Sequence, residues 1–505
     1  MRFTRIQLVL AGATCIAMLA AVLQLQDAPY KSWAVLVGIA VMPTVMVVTG
    51  RPKEILLFGW VLALTYNRQY YVFESLVGYN GTQGPYVLLS DVCLAGLFGW
   101  WLFERIFRRP DDRPRGAPLW PWLFPFAAIC LLSTFEADRP DWGLYEMIRI
   151  GKIGLILYYV RRNFGRREWS ITLAALGCAV FFQSAVAIKE VITGKAGVLG
   201  IASDTSAAPA FVQNFEAGGF TGMVRGMGTL AHPPYLACYL LLLLPVLLAL
   251  AFTAPRRRAA MFAAAFLAGC GGLAATLSRG PWMLAAVEMV LVIAGLVLLR
   301  QVALQRALGL VIVGGFVLML ALLPVKDKLM NRITGDFSES LRYREQGTRA
   351  AWNAIDDHPL LGLGLNNTEL HFVKYLPEMD WALVTEDFAT HTLHLRAPVA
   401  LGNGFLHVAE ETGLLGLGAF LFFVVGALGV GMRSLARTGG EHRAVCLGLM
   451  VGILGALGEQ FVDTPLWVDP NLYTFALSIG LLSVAAPLFS RGRRTAAAPR
   501  MDLAA

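Results

Sequence analysis

The chain is poor in charge. Only 15% of its 505 residues are Asp, Glu, Lys or Arg, against about 25% in an ordinary soluble domain. Meanwhile 57% are hydrophobic and the mean hydropathy is +0.60. That shortage excludes an ordinary soluble enzyme and indicates an all-α, polytopic membrane protein. Cysteine is missing where a disulfide could form: Cys15, Cys93, Cys130, Cys178, Cys238, Cys270 and Cys446 all fall inside apolar runs. The segments between the runs therefore hold no disulfide framework and no cysteine-based metal knuckle. A Walker phosphate loop and a Rossmann glycine fingerprint are also lacking, which argues against a soluble nucleotide donor. "HTLHL" sets His391 and His394 three apart, but no Glu-bearing second motif accompanies it, and neither a metal nor another cofactor is expected.

What the chain has in abundance is long apolar runs. The first, from Ile6 to about Leu25, follows only Arg2 and Arg5 and is long enough to span a bilayer. A cleaved signal peptide is the rival reading, but no clean small-x-small site precedes the next run. Further spans are expected near 32–50, 54–66, 85–103, 118–135, 143–160, 170–190, 233–254, 259–277, 281–299, 307–324, 410–432, 444–462 and 471–489, about 14 in all. Basic residues mark every second boundary, from Arg51 and Lys53 through Arg256, Arg257 and Arg258 to Arg491, Arg493, Arg494 and Arg500. Because Lys and Arg accumulate on the cytoplasmic side of short loops, both termini are expected inside. The net charge of +8 then reflects orientation, and no nucleic-acid partner is expected.

Two external segments, about 191–232 and about 325–409, are too long to be mere connectors. In the second, Leu341, Arg344, Glu345, Thr348, Trp352 and Ile355 recur at helical spacing. They predict an amphipathic helix at the membrane surface, stopped by Pro359. "LLGLGLNN" reads either as a turn, with glycines at positive φ and Asn capping, or as a loop that positions substrate. His232, His358, His371, His391, His394 and His407 are all external and only His442 is cytoplasmic, so the polar chemistry is expected outside.

With the N-terminus inside, every even-numbered span points its helix N-terminus outward, offering N–H groups and a positive dipole end to anions. Two of these starts carry an arginine. "LSRGPW" places Ser278 as a cap, Arg279 at the mouth and Pro281 in the first turn, while "VRGMGTLAHPPYLA" places Arg225 before His232, Pro233 and Pro234. One interfacial arginine is often a snorkelling anchor. Two of them beside glycines suit an anion clamp, since a planar guanidinium matches phosphate.

"RGMGTLAHPPYLACYLLLLLP", "TLSRGPW", "RAAWNAIDDHPLLGLGLNN" and "GNGFLHVAEETGLLGLG", in that order over roughly 220–420, resemble the O-antigen ligase and O-antigen polymerase family. The resemblance implies a metal-independent glycosyltransferase of the bacterial inner membrane, active on the periplasmic face. It would take glycan from undecaprenyl diphosphate and join it to a glycan or lipid A-core acceptor. It divides the chain into N-terminal helices over 1–200, a ligase- or polymerase-like core over 201–432 with its periplasmic loop at 325–409, and C-terminal helices with a basic tail over 433–505. The family's diphosphate-holding arginines fall on Arg225 and Arg279, and Arg349 and Asn403 are further substrate-binding candidates.

The family's histidine base usually precedes that Asn, and here Gly402 stands in its place. His407, four residues after Asn403 and so about one helical turn along, is the nearest replacement. His391 and His394 could fold back from the loop. Glu411 could serve as a carboxylate base, although Glu410 and Glu411 also suit the N-terminus of their span electrostatically. Asp463 and Asp469 are expected to be solvated. A transporter would instead need charged or broken-helix residues at mid-membrane depth, where only Arg149, Lys152 and Glu288 qualify.

Overall fold

The computed structural model describes residues 49–72, 84–107, 116–194, 224–323, 338–375, 384–387, 392–395 and 402–490, with single residues between 323 and 338. The first expected span and nearly all of the second lie outside them. Within them the protein is a helical bundle. Its helices are α1 (Pro52–Ala63), α2 (Leu89–Phe107), α3 (Trp120–Glu136), α4 (Pro140–Asn163), α5 (Arg166–Thr193), α6 (Pro233–Thr253), α7 (Arg256–Ala275), α8 (Arg279–Leu298) and α9 (Leu304–Leu322). They continue with α10 (Ser338–Asp357), α11 (Thr368–Tyr375), α12 (Gly404–Arg437), α13 (Gly440–Glu459) and α14 (Asp469–Phe489). Two short antiparallel pairs are the exceptions to an all-helical chain: β1 (Tyr70–Tyr71) with β2 (Tyr86–Val87), and β3 (Val384–Asp387) with β4 (Thr392–Leu395).

Seven of the described helices, α5, α6, α7, α8, α12, α13 and α14, are long and apolar enough to cross a membrane, and each falls on an expected span. The remaining described runs also form helices. Among them, α1 has only 12 residues, and α4 carries Glu146, Arg149 and Lys152 in its middle.

Helix α6 is apolar on every side and almost wholly buried, as expected for a helix with no polar stripe. Helix α13 lies against it because small residues let the backbones approach. A Cβ at Gly452 would sit 2.3 Å from the Leu242 carbonyl, and one at Gly448 would sit 2.7 Å from that of Pro245. Helices α7 and α8 flank α6, whereas α14 packs on α4 and α12 packs on α3. Large side chains on the outward faces of α8 and α9, such as Met283, Val290, Ile312 and Phe316, are exposed, which fits a lipid-facing surface.

Helix α10 forms where its spacing predicts and ends before Pro359. The face it buries consists of Gly347, Ala350, Ala351, Ala354 and Ile355, leaving Trp352 exposed. Small residues let α10 pack on α12. The chain ends that meet at one end of the bundle, namely the starts of α6, α8, α12 and α14 and the ends of α7 and α13, form the site described next.

Candidate functional site

The loop 224–232 is fixed before it delivers its arginine. Glu190 on α5 accepts hydrogen bonds from the amides of Met227 (2.9 Å) and Gly228 (3.0 Å), and Gln183 accepts one from that of Thr229 (2.9 Å). The Gly226 amide donates to the Ala275 carbonyl at the end of α7 (2.8 Å). Arg225 is thereby laid along "TLSRG": its Nε donates to the Thr276 carbonyl (2.9 Å) and its Nη2 to the Ser278 hydroxyl (2.7 Å). The two motifs expected to clamp an anion are therefore one structure, with Arg225 bound to the residue immediately before Arg279. Ser278 occupies the N-cap place of α8 but makes no side-chain cap, contrary to expectation, because its hydroxyl serves Arg225. Burial pushes the imidazole of His232 down to about 3, with the Arg225 charge adding to the shift. His232 is thus neutral at physiological pH and lends the site no positive charge.

Asp463 is half-buried and not fully solvated as the sequence suggested. The turn after α13 holds it: the Thr464 amide donates to its carboxylate (2.7 Å), and the carboxylate faces Arg344 of α10 with Nη2 to Oδ2 at 3.9 Å. Burial raises its pKa, and the charges of Arg344 and Arg225 oppose that rise. Glu459, at the end of α13, lies near Asp463 and Arg344. The start of α8 reaches the same point, since a Cβ at Gly280 would lie 3.6 Å from Glu459 Oε2. Helix α12 begins there too, with the Gly404 amide donating to the Gln460 carbonyl (2.6 Å).

Gly402 sits at the centre of this junction. A Cβ there would meet the Arg344 carbonyl at 2.8 Å and the Thr348 hydroxyl at 3.1 Å. The place where the family pattern has histidine is filled by helix α10, and Arg344 occupies that corner instead. Asn403 caps α12, its Oδ1 accepting from the amides of Phe405 (2.9 Å) and Leu406 (3.1 Å). One turn along, His407 lies with Nε2 3.8 Å from Glu411 Oε1, and Thr368 donates to the same oxygen at 3.4 Å.

Helix α12 then breaks at Gly413, whose φ of 68° and ψ of −178° are not helical. A break strands carbonyls that cost about 1–3 kcal/mol each when buried without a partner. The "LLGLGLNN" loop replaces the lost bonds. The Leu363 amide donates to the Glu410 carbonyl (2.8 Å), the Gly364 amide to that of Glu411 (3.1 Å), and the Leu414 amide to that of Pro359 (2.8 Å). The Ser133 hydroxyl also donates to the Glu411 carbonyl (2.6 Å). Gly362 and Gly413 are required for this fit. Both have positive φ, and a Cβ would lie 2.4 Å from the Glu410 carbonyl oxygen at Gly362 and 2.0 Å from that of Leu360 at Gly413. Asn367 pins the loop to α4, accepting from the Arg139 amide (2.9 Å) and donating to the Arg139 carbonyl (3.1 Å). The glycines have the positive φ expected of a turn, and the loop also acts as a splint for the broken helix.

Sequence reasoning missed a second charged cluster, beneath α12. Arg149 of α4 donates to Asp469 Oδ1 (2.8 Å), to Glu146 Oε1 (2.6 Å) and to the Trp467 carbonyl. Tyr86 donates to the other oxygen of Asp469 (2.7 Å), and Lys152 pairs with Asp91 (2.7 Å). Asp469 is therefore buried and saturated, which corrects the expectation that it is solvated. Only its partners reveal this, and they lie more than 300 residues away in sequence.

Of the remaining candidates, Arg349 is exposed on α10 and pairs with Glu345 one turn away (2.6 Å). His394 lies on β4, opposite Thr385, while His391 lies outside the described residues. No curated protein matches the chain. Residues 263–421, about a third of the chain, match the family model described as O-antigen ligase. The match runs from α7 through the Arg279 helix start and α10 into α12.

Proposed function

We propose that the protein transfers lipid-linked glycan at the periplasmic face of a bacterial inner membrane. The first reading is a polymerase for exopolysaccharide or O-antigen repeats, because the long 325–409 segment could hold a growing glycan. The second is ligation of O-antigen to lipid A-core, favoured by the description of the matching family. The observation that carries the proposal is the bonding of Arg225 to Ser278, directly before Arg279 at the start of α8. It sets a fixed guanidinium beside a second arginine and a helix N-terminus, a combination suited to a diphosphate. The alternation of basic segments supports about 14 spans with both termini inside, and so an outward-facing site.

In this reading the acceptor hydroxyl attacks the anomeric carbon of the donor sugar, and the polyprenyl diphosphate leaves as an anion held by Arg225 and Arg279. The hydroxyl proton passes to a base. His407 ranks first, because it lies about one turn after Asn403 and Glu411 Oε1 lies 3.8 Å from its Nε2. Asn403 positions His407 by capping its helix, His391 and His394 are the alternates, and Arg349 is exposed for glycan contact. No metal or other cofactor enters the scheme. Of the three residues the rival transporter reading would use, Arg149 and Lys152 are paired within the protein and Glu288 is buried on α8.

Deletion of the gene followed by glycan sizing separates the two activities. Loss of long chains marks a polymerase, and long chains accumulating on undecaprenyl diphosphate mark a ligase. Complementation with His407→Ala, His391→Ala, His394→Ala or Glu411→Ala identifies the base. Wild-type output from all four would remove the acceptor-side assignment.

A further inference from the structure

Asp463 is held in an arrangement that a purely structural ion pair would not choose. It is half-buried, with 13% of its side chain exposed, and faces two guanidinium groups, yet its contact with Arg344 spans 3.9 Å. That is beyond hydrogen-bond length, whereas Arg149 closes on both its carboxylates at 2.8 Å or less. Arg225 is immobilised through Thr276 and Ser278. Arg344 approaches from a different element, α10, and is more open, with 36% of its side chain exposed. A loose pair at a water-accessible edge gives up little when exchanged for another anion, and a diphosphate oxygen offers each guanidinium a shorter, charge-assisted bond.

We propose that Asp463 is a built-in counter-ion that occupies the space between Arg225 and Arg344 until a diphosphate takes its place, which makes Arg344 a further guanidinium of the donor site. The inference rests on the donor-site reading above and extends it to a residue outside the two arginine motifs. It also explains Gly402: with no side chain there, α10 can approach closely enough to bring Arg344 to the site. The exchange breaks no covalent bond. The carboxylate moves away from the arginines as the diphosphate enters.

The test is binding of farnesyl diphosphate, inorganic diphosphate and farnesol to the full chain in detergent micelles, with folding followed by intrinsic tryptophan fluorescence. Asp463→Asn keeps the shape and removes the competing charge, and it is expected to tighten diphosphate binding about three- to tenfold. Arg344→Ala is expected to weaken it about tenfold, with partial recovery in Arg344→Lys, and Asp463→Glu should stay near wild type. Tightening for both diphosphates identifies the headgroup as the competitor, while tightening for farnesyl diphosphate alone assigns it to the lipid-linked form. If folded Asp463→Asn binds no tighter than wild type while Arg225→Ala still abolishes binding, the counter-ion is refuted and the donor site stands. If wild type binds neither diphosphate, the donor-site reading fails and the counter-ion falls with it. Should Asp463→Asn not fold, an unchanged affinity in folded Arg344→Ala refutes the proposal by itself.

Discussion

The two arginine clusters use the same residue types to different ends. Around Arg149 every charge is closed: Glu146, Asp469, the Trp467 carbonyl and Tyr86 form a network in which the two ion pairs measure 2.8 Å or less. Around Asp463 the charges come from three separated segments, and the Arg344 pair stands at 3.9 Å. A saturated guanidinium has nothing left to offer a ligand and serves as a brace between α4 and the start of α14. A guanidinium held in place but loosely paired has the character of a binding group. Bond length and saturation, more than the presence of arginine, separate the structural cluster from the candidate functional one.

The largest effect should come from breaking the brace. Arg149→Met leaves Glu146 and Asp469 buried without a counter-charge, and removing one partner of a buried pair costs about 3–5 kcal/mol. A steep fall in apparent melting temperature in detergent is expected. A melting temperature within a degree or two of wild type would show that the cluster is not structural. Next comes the splint at the broken helix. Gly413→Ala places a Cβ 2.0 Å from the Leu360 carbonyl, at a φ of 68° and a ψ in a region almost confined to glycine. A loss of roughly 2 kcal/mol or more in unfolding free energy is expected, accompanied by faster proteolysis near 359–364. Unchanged proteolysis would mean that the loop does not depend on the break.

A smaller effect separates the clusters by pH. The pKa of His232 is lowered from 6.5 to about 3 in the folded protein, so the folded state binds fewer protons there. Its contribution to stability is present above pH 6.5 and is lost as the pH falls from there toward about 3. His232→Gln should therefore flatten the acid side of the stability profile measured from pH 7 to pH 4. An acid limb as steep as that of wild type would place the responsible group elsewhere.

Much of the fold was legible in the sequence. Apolar runs located the described helices outside the 325–409 segment, because burial in lipid leaves few alternatives to a helix, helical spacing and Pro359 marked α10, and α11 was not foreseen. Arg225 and Arg279 were legible through their neighbours, the glycines and prolines that shape a helix start. The rest depends on contacts between distant segments. Asp463 and Asp469 look like ordinary loop acids until Arg344 and Arg149 are brought beside them. Arg344 could not be distinguished from Arg349 by helical spacing alone. The partial cover of Arg344 and the exposure of Arg349 follow from a small-residue face on α10 that packs on α12. The break at Gly413 falls between Glu410, Glu411 and Thr412 and the apolar run that follows, and only the splint loop exposes it.

The most direct test of the donor site is a reconstituted transfer reaction in proteoliposomes, with a polyprenyl-diphosphate-linked oligosaccharide as donor and product length read by gel. Wild-type protein is expected to consume the donor and build glycan. Arg225→Ala should reduce the rate by at least a hundredfold at equal protein level, and Arg225→Lys should recover little of it, since a point charge lacks the planar fork that binds Thr276, Ser278 and a phosphate together. Full transfer by folded Arg225→Ala would contradict the assignment and leave Arg225 as a strut between its loop and α8.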